Sequence, residues 1–358
     1  MENFTSLVHQ TQLQDYTFNS SRSPYRCKFN EEFKYVLLPV SYGIVFIAGL
    51  ILNAVALHTF LFRMKQWNAC TTFMFNLAVC DTLYVISLPL LVYYYGNRNQ
   101  WPFSAPLCKI VRFLFYTNLY CSILFLSCIS IHRFLGICFP VQSLHWGKVR
   151  NAQIISIVVW TIVVICQAPV LSFVSTGVVR NITVCHDTAR RENFDRFIIY
   201  TSFNQILLFC IPFAVVLVCY CLMANRLMKP SKVGPSHSKS KKKSIRMIII
   251  VLTVFIVCFL PFHITRTLYY SFRSLDINCK TVNAVNLAYK ITRPLASVNS
   301  CLDPILYFLA GQKYRKHLTL RNQKTKRQKW PKAITRKILS DGTDNKDPTD
   351  LMLQHLKS

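Results

Sequence analysis

The sequence predicts an all-α membrane protein: a bundle of seven transmembrane helices, N-terminus outside and C-terminus inside, with a short cytoplasmic helix after the seventh span. Three observations predict it. Seven apolar runs each exceed the roughly 20 residues that a helix needs to cross hydrocarbon. The 358-residue chain is 52% hydrophobic with mean hydropathy +0.30, too apolar for an ordinary soluble domain. Lys and Arg are also shared unequally between alternate connections. The net charge of +28 raises nucleic-acid binding, but the basic residues cluster between apolar runs and no nucleic-acid module is present.

The spans are read at residues 35–62, 69–95, 108–138, 152–174, 197–227, 245–272 and 282–309. Several contain proline: Pro89, Pro169, Pro212, Pro261 and Pro304. Membrane helices tolerate proline because their neighbours re-satisfy the freed carbonyls. The segment before the first span lacks the apolar core and small-residue cleavage site of a signal peptide. The first span is therefore expected to act as an uncleaved insertion signal. The chain divides into an extracellular N-terminus (1–34), the bundle (35–310), an amphipathic cytoplasmic helix (311–318) and a disordered cytoplasmic tail (319–358).

Orientation follows from the fifth connection, with its "KSKKKSIR" run (239–246), and from the basic tail. Positive charge stays inside, so both are cytoplasmic. Three glycosylation sequons start at Asn3, Asn19 and Asn181, all on the outer side. Such a pattern is common by chance, and the shared sidedness carries the weight. Ser236, Ser238 and Ser240, with the Ser and Thr of the tail, are candidate phosphorylation sites. Of fifteen cysteines, most lie inside spans as small packing residues. Cys27, Cys108, Cys185 and Cys279 lie outside them, in the oxidising compartment. Four such residues imply two disulfides in one of three pairings, and sequence alone does not choose.

The charged residues inside the spans carry the functional reading. Only Asp81 and Asp303 are carboxylates there. An intramembrane acid marks a functional site by default. Ser122, Asn299 and Ser300 are candidates to join Asp81 in an oxygen-rich cluster that suits a hard monovalent ion such as sodium. The bland alternative is a structural hydrogen-bond hub. Four cations, Arg112, Arg266, Lys290 and Arg293, fall in the outer thirds of three spans. Each costs roughly 2.5–3.5 kcal/mol at a helix centre, less with snorkelling. Snorkelling explains any one of them and poorly explains four at similar depth. His263 shares a face with Arg266, and Arg112, Tyr116 and Tyr120 form an i, i+4, i+8 stripe. The set reads as a pocket for a polyanion, with guanidinium forks suited to phosphate oxygens and aromatic rings to stack on a base. Asp303 lies ~15 Å deeper than Arg293 along its helix and belongs to a different site.

At this point the residues resemble rhodopsin-like G-protein-coupled receptors over 35–318. The motifs are "GLILN" (49–53), Leu77, Ala78 and Asp81, Cys108, "HRF" (132–134), Trp160, Pro212 with Tyr220, "CFLPFH" (258–263) and "NSCLDPILY" (299–307). Within that class the chain looks like the metabotropic purinergic receptors. The likeness rests on "WPF" (101–103), the stretch 108–140, "FLPFHITRT" (259–267) and "YKITRPLASVNSCLDPILY" (289–307), and is nearest the branch that answers uridine and adenine triphosphates. The resemblance implies that Arg112, His263, Arg266, Lys290 and Arg293 hold the phosphate chain. It also implies that Asp187 pairs with a cation in the unliganded state, and that the disulfides are Cys108–Cys185 and Cys27–Cys279.

The implied partners are an extracellular nucleotide, a heterotrimeric G protein of Gq type, arrestin, a receptor kinase and membrane lipid, with no cofactor. The implied mechanism is a population shift. Pro261 is the pivot of the sixth span, Arg133 and Tyr220 form the cytoplasmic switch, and Asp81, Asp303 and Tyr307 relay the change. Three departures point toward raised basal activity. His132 stands where many receptors carry an acid, Phe259 where many carry Trp, and Lys241–Lys243 leave no acid opposite Arg133. The rival classes fit less well. A retinal protein needs a lysine midway along the last span, where "LASVNS" (295–300) has none. A transporter predicts repeated halves, and an intramembrane enzyme needs a catalytic cluster; neither is found. A receptor for another anionic ligand, such as a nucleoside diphosphate, a nucleotide sugar or a lipid acid, is the alternative.

Overall fold

The computed structural model describes residues 32–179, 181–189, 191–228, 245–246, 248–275 and 277–310. Asn3, Asn19, Cys27, the 241–243 lysines, the expected helix over 311–318 and the tail lie outside the described residues.

Seven long helices follow one another. α1 is Lys34–His58, α2 Ala69–Gly96, α3 Ala105–Cys138 and α4 Val149–Gln167. α5 runs as Phe194–Gln205, Ile206–Cys210 and Ile211–Met228; α6 is Ile248–Ser274 and α7 Cys279–Ala310. α1 to α6 are long and apolar enough to cross a membrane; α7 is long enough but too polar to count among them. Lys280, Lys290, Arg293, Asp303 and three asparagines dilute it. Lys290, Arg293, Asn299 and Asp303 among them are residues the sequence marks as functional.

Local chemistry sets the helix ends and kinks. Asn68 caps α2, its side-chain oxygen accepting from the Thr71 N–H at 2.9 Å. In α5 and α6 a wide π-type turn, Ile206–Cys210 and Phe255–Phe259, stands just before Pro212 and Pro261. Proline has no N–H and crowds the carbonyl four residues back. That carbonyl belongs to Leu208 or Val257, inside the wide turn, so the loosened turn absorbs the clash.

α3 is central, packing on α2, α4, α5 and α7, and the ring closes where α7 meets α1. Single polar bonds pin the neighbours. Asn53 donates to the Ser300 carbonyl at 2.8 Å, Trp160 to Asn76 at 3.1 Å, and Thr265 meets Thr292 at 2.7 Å. Gly49 lets α1 approach α2: a Cβ there would stand 2.9 Å from Val85 Cγ2. The burial pattern is that of a bilayer protein. Ile44, Ile165 and Ile199 are 63%, 66% and 71% exposed, whereas Asn53, Asp81, Arg293 and Asn299 are fully buried. The outward face suits hydrocarbon and the polar groups satisfy one another inside.

Outside the bundle, Thr176–Val179 and Ile182–Cys185 form an antiparallel hairpin. Its register pairs Val179 with Ile182, so the turn between the strands is short. Asn181 there has φ 61° and is exposed, in keeping with the preference of Asn for left-handed turn positions.

Candidate functional site

The hairpin places the outer site. Cys108, at the start of α3, is bonded to Cys185, the first of the two pairings the resemblance implies. Cys279 is also disulfide-bonded, and its expected partner, Cys27, lies outside the described residues. The Cys185 carbonyl, held at the top of α3, accepts from Arg112 Nη2 at 3.3 Å and the Tyr94 hydroxyl at 3.2 Å. Two residues on, Asp187 reaches α7. Its carboxylate accepts from Arg293 Nη1 at 2.6 Å and lies 3.6 Å from Lys290 Nζ. Burial pushes the Asp187 carboxyl up. The charges of Lys290, Arg293 and Arg112 and the Arg293 hydrogen bond outweigh that and hold it well below the usual carboxylate range.

The four cations divide into two groups. Arg112, Lys290 and Arg293 gather round Asp187 with Tyr95, whose hydroxyl accepts from Arg112 at 3.5 Å. Arg293 also lies over the Phe115 ring at 5.0 Å, and its Nε and Nη2 have no hydrogen-bond partner. Arg266 stands apart and has no carboxylate among its described partners. It donates to the Tyr120 hydroxyl at 3.2 Å and lies over the rings of Tyr116 at 4.8 Å and Tyr270 at 5.6 Å. Its Nε is unpartnered although the residue is 4% exposed. His263, one turn before it, is fully buried and stacked on Phe209 at 3.9 Å, with both ring nitrogens unpartnered. Tyr289 packs at 6.1 Å on Tyr270, the ring under Arg266, and is one helical turn before Arg293 on α7. Aromatic faces lessen the cost of burying these cations. They do not neutralise them: among the described residues Asp187 is the carboxylate paired with this group, and the buried guanidinium nitrogens left unpartnered suit a polyanion.

The inner cluster differs from the expected one in its central contact. Asp81 is fully buried; its Oδ1 accepts from Asn118 at 2.8 Å, and the Ser300 hydroxyl is also within hydrogen-bonding reach of the carboxylate. Ser122 instead accepts from Asn299 at 2.9 Å, and Ser300 meets Asn118 at 3.3 Å. The sequence reading missed Asn118, and the signal was available: it lies one helical turn before Ser122 and shares its face. Tyr95 was missed as well, the last residue of the second span as read and the third of three consecutive tyrosines. The second Asp81 oxygen, the Asn299 amide oxygen and both Asp303 oxygens are buried without a partner. Orphaned buried oxygens of this kind call for a proton, a water or an ion, and the all-oxygen set fits a hard monovalent cation such as sodium.

At the cytoplasmic end Arg133 Nη2 donates to Cys70 Sγ at 3.4 Å, and no carboxylate is among its described partners. Tyr220 is bonded to Ser130 at 2.6 Å, joining α5 to α3. Pro261 follows the wide turn of α6, where Phe259 is fully buried. The Tyr307 backbone is helical, within α7; its side chain lies outside the described residues.

Comparison with known proteins settles the family. The model for the seven-transmembrane receptors of the rhodopsin family matches residues 52–307. Purinoceptor 2 of Rattus norvegicus is 62% identical over 297 residues, 83% of this chain and 79% of its own. Purinoceptor 4 of Homo sapiens is 54% identical over 84% of this chain and 82% of its own. The chain belongs to the rhodopsin-like purinoceptor family. It is therefore a multi-pass plasma-membrane receptor, and the expected seven-helix bundle is that of its family. A more distant member, purinoceptor 1 of Cavia porcellus, is 40% identical over 92% of this chain and 90% of its own.

Proposed function

We propose that this purinoceptor-family chain is a cell-surface receptor for extracellular nucleotides, answering UTP and ATP and signalling through a Gq-type G protein to phospholipase C and calcium. The observation that carries the reading is the set of buried guanidinium nitrogens on Arg112, Arg266 and Arg293, in the outer third of the bundle, that have no hydrogen-bond partner. A triphosphate supplies the anion these groups lack, and guanidinium forks suit its oxygens. Arg112, Tyr116, Tyr120, His263, Arg266, Lys290 and Arg293 are the proposed ligand groups. Asp187 holds the place of a phosphate while the site is empty.

Binding favours the arrangement in which α3, α6 and α7 share one polyanion. α6 swings at Pro261, Tyr220 and Arg133 change partners, and the Asp81–Asp303–Tyr307 region relays the movement. Sodium at Asp81, with Asn118, Asn299 and Asp303 near it, stabilises the resting arrangement. The domain division stated above, arrestin and receptor-kinase engagement, and glycans at Asn3, Asn19 and Asn181 belong to the same proposal. The alternative ligands are a nucleoside diphosphate, a nucleotide sugar or a lipid acid. The deciding test is calcium release in cells lacking endogenous nucleotide receptors, challenged with UTP, ATP, UDP, ADP, a nucleotide sugar and a lysophospholipid. Response to UTP and ATP at lower concentration than the others supports the reading; a response to the lipid alone overturns it.

A further inference from the structure

At the cytoplasmic end of α3, the Arg133 guanidinium meets a sulfur and not a carboxylate. Its Nη2 donates to Cys70 Sγ at 3.4 Å, and its Nε is buried without a hydrogen-bond partner. Among the described residues no acid pairs with it. Cys70 is a free thiol, 5% exposed. A thiol is a weak acceptor, whereas a bond from guanidinium to carboxylate is charge-assisted and roughly twice as strong as a neutral one.

The place of Cys70 weakens the hold further. α2 begins at Ala69, capped by Asn68, so Cys70 is the second residue of its first turn, and that turn holds no acid. The start of a helix carries partial positive charge. The guanidinium is therefore held against a pole of its own sign by one neutral sulfur. Tyr220, the other half of the cytoplasmic switch, is also held by a neutral group: its hydroxyl is bonded to that of Ser130 at 2.6 Å, one turn before Arg133 on α3. Neither holding contact is an ion pair, so both can be exchanged at small cost.

We propose that Cys70 positions Arg133 in the resting receptor, and that its neutral thiol, in the acid-free first turn of α2, sets the level of signalling without ligand. This rests on the signalling route proposed above and goes beyond it by naming what holds the switch before a ligand arrives. A weak hold leaves a larger share of unliganded receptors in the active arrangement than an ion pair would. A carboxylate at position 70 would reach one atom further than the sulfur and bring two oxygens, for Nη2 and the unused Nε. It would also suit the start of α2.

The test is inositol phosphate accumulation in the full-length receptor at matched surface expression, with apyrase present to remove released nucleotides, and then a UTP concentration series without it. Cys70→Ala removes the acceptor and should raise unliganded signalling by about threefold. Cys70→Asp should lower it by about fivefold and raise the half-maximal UTP concentration by a similar factor. Cys70→Ser keeps a neutral acceptor and should stay within about twofold of wild type. Melting of the purified, unliganded receptor gives a second readout that needs no G protein: Cys70→Asp should raise Tm and Cys70→Ala should lower it. A thiol that served packing alone would give losses of the same sign in both variants. Shifts of the same sign, or an unchanged Cys70→Asp, overturn the assignment. If Cys70→Ala fails to reach the surface, Cys70→Asp against Cys70→Ser decides. A wild-type receptor silent to UTP removes the functional reading, and the order of melting temperatures then decides on Cys70 alone.

Discussion

Replacing Arg266 should harm nucleotide potency more than replacing Arg293, although both are buried guanidinium groups on adjacent helices. The difference lies in what each already holds. Arg266 gives one bond to a neutral phenol and has a free Nε. A phosphate oxygen adds a charge-assisted contact there without breaking anything, worth about 1.5–3 kcal/mol. Arg266→Ala should therefore raise the half-maximal concentration by roughly 10- to 150-fold, 1.4 kcal/mol being tenfold. Arg293 also has free nitrogens, but its Nη1 is bonded to Asp187 at 2.6 Å. A phosphate at those nitrogens meets the carboxylate across the width of one guanidinium. That repulsion is on the order of 1–3 kcal/mol between aqueous and protein-surface screening, and it cancels most of the gain. Arg293→Ala alone should shift potency by less than about tenfold. Asp187→Asn removes the competitor, so in that background Arg293→Ala should approach the Arg266→Ala penalty. The four-variant cycle of Asp187 and Arg293 isolates the coupling. UTP and ATP should shift by similar factors, because they share the triphosphate. The assay is calcium release at matched surface expression. An Arg293→Ala shift as large as that of Arg266→Ala with Asp187 intact, or one that Asp187→Asn leaves unchanged, refutes the reasoning.

Three further outcomes are expected. Cys108→Ser or Cys185→Ser should block surface delivery, because the bond anchors the hairpin whose backbone holds Arg112, whereas Cys27→Ser should mainly weaken the response; surface immunostaining with dose–response curves checks this. Asp81→Asn should abolish sodium sensitivity of agonist binding and Asn118→Ala should reduce it, read as the salt dependence of radioligand affinity in sodium against N-methylglucamine buffer. The Asp187 carboxyl is held below its ordinary range, so its pairing contributes fully above the unfolded value near 3.8 and is lost only as pH falls below that value, through the lowered one. Melting of the purified receptor should therefore show the same Asp187→Asn penalty at pH 5.5 as at about pH 8; a penalty that fades between them would mean that the carboxylate is not held ionised by its cations.

Much of the fold was legible because the bilayer leaves few alternatives. Apolar length pointed to all seven helices, although the polar residues of the seventh leave it less apolar than the other six. Helix ends were less legible. The fourth span, read as running to 174, stops at Gln167 and restarts as the short helix Val170–Phe173, because Pro169 breaks it. The hairpin was not foreseen. Its strands are four residues each, too short for a periodic signal to stand out against chance.

The candidate site was legible as a set of residue types and not as an arrangement. Charge inside an apolar run is visible in sequence because its cost is large; which charges share an anion is a matter of helix rotation and of loops returning from outside. Asp187 illustrates the point. It lies in no span, yet it is the carboxylate that meets two of the four cations. Its reach follows from the Cys108–Cys185 bond two residues earlier, which fixes the loop over α3. Among the described residues Arg266 has no such partner, and the rings of Tyr116 and Tyr270 cover it in place of an anion. A guanidinium solvated only by phenols and ring faces is stabilised less than one paired with a carboxylate. The resting site therefore holds one satisfied pole on α7 and one unsatisfied pole on α6. A polyanion long enough to touch both gains most at α6, the helix whose wide turn and Pro261 already loosen its backbone. The same imbalance that makes the empty site costly thus directs the response of the bundle to the helix most able to move.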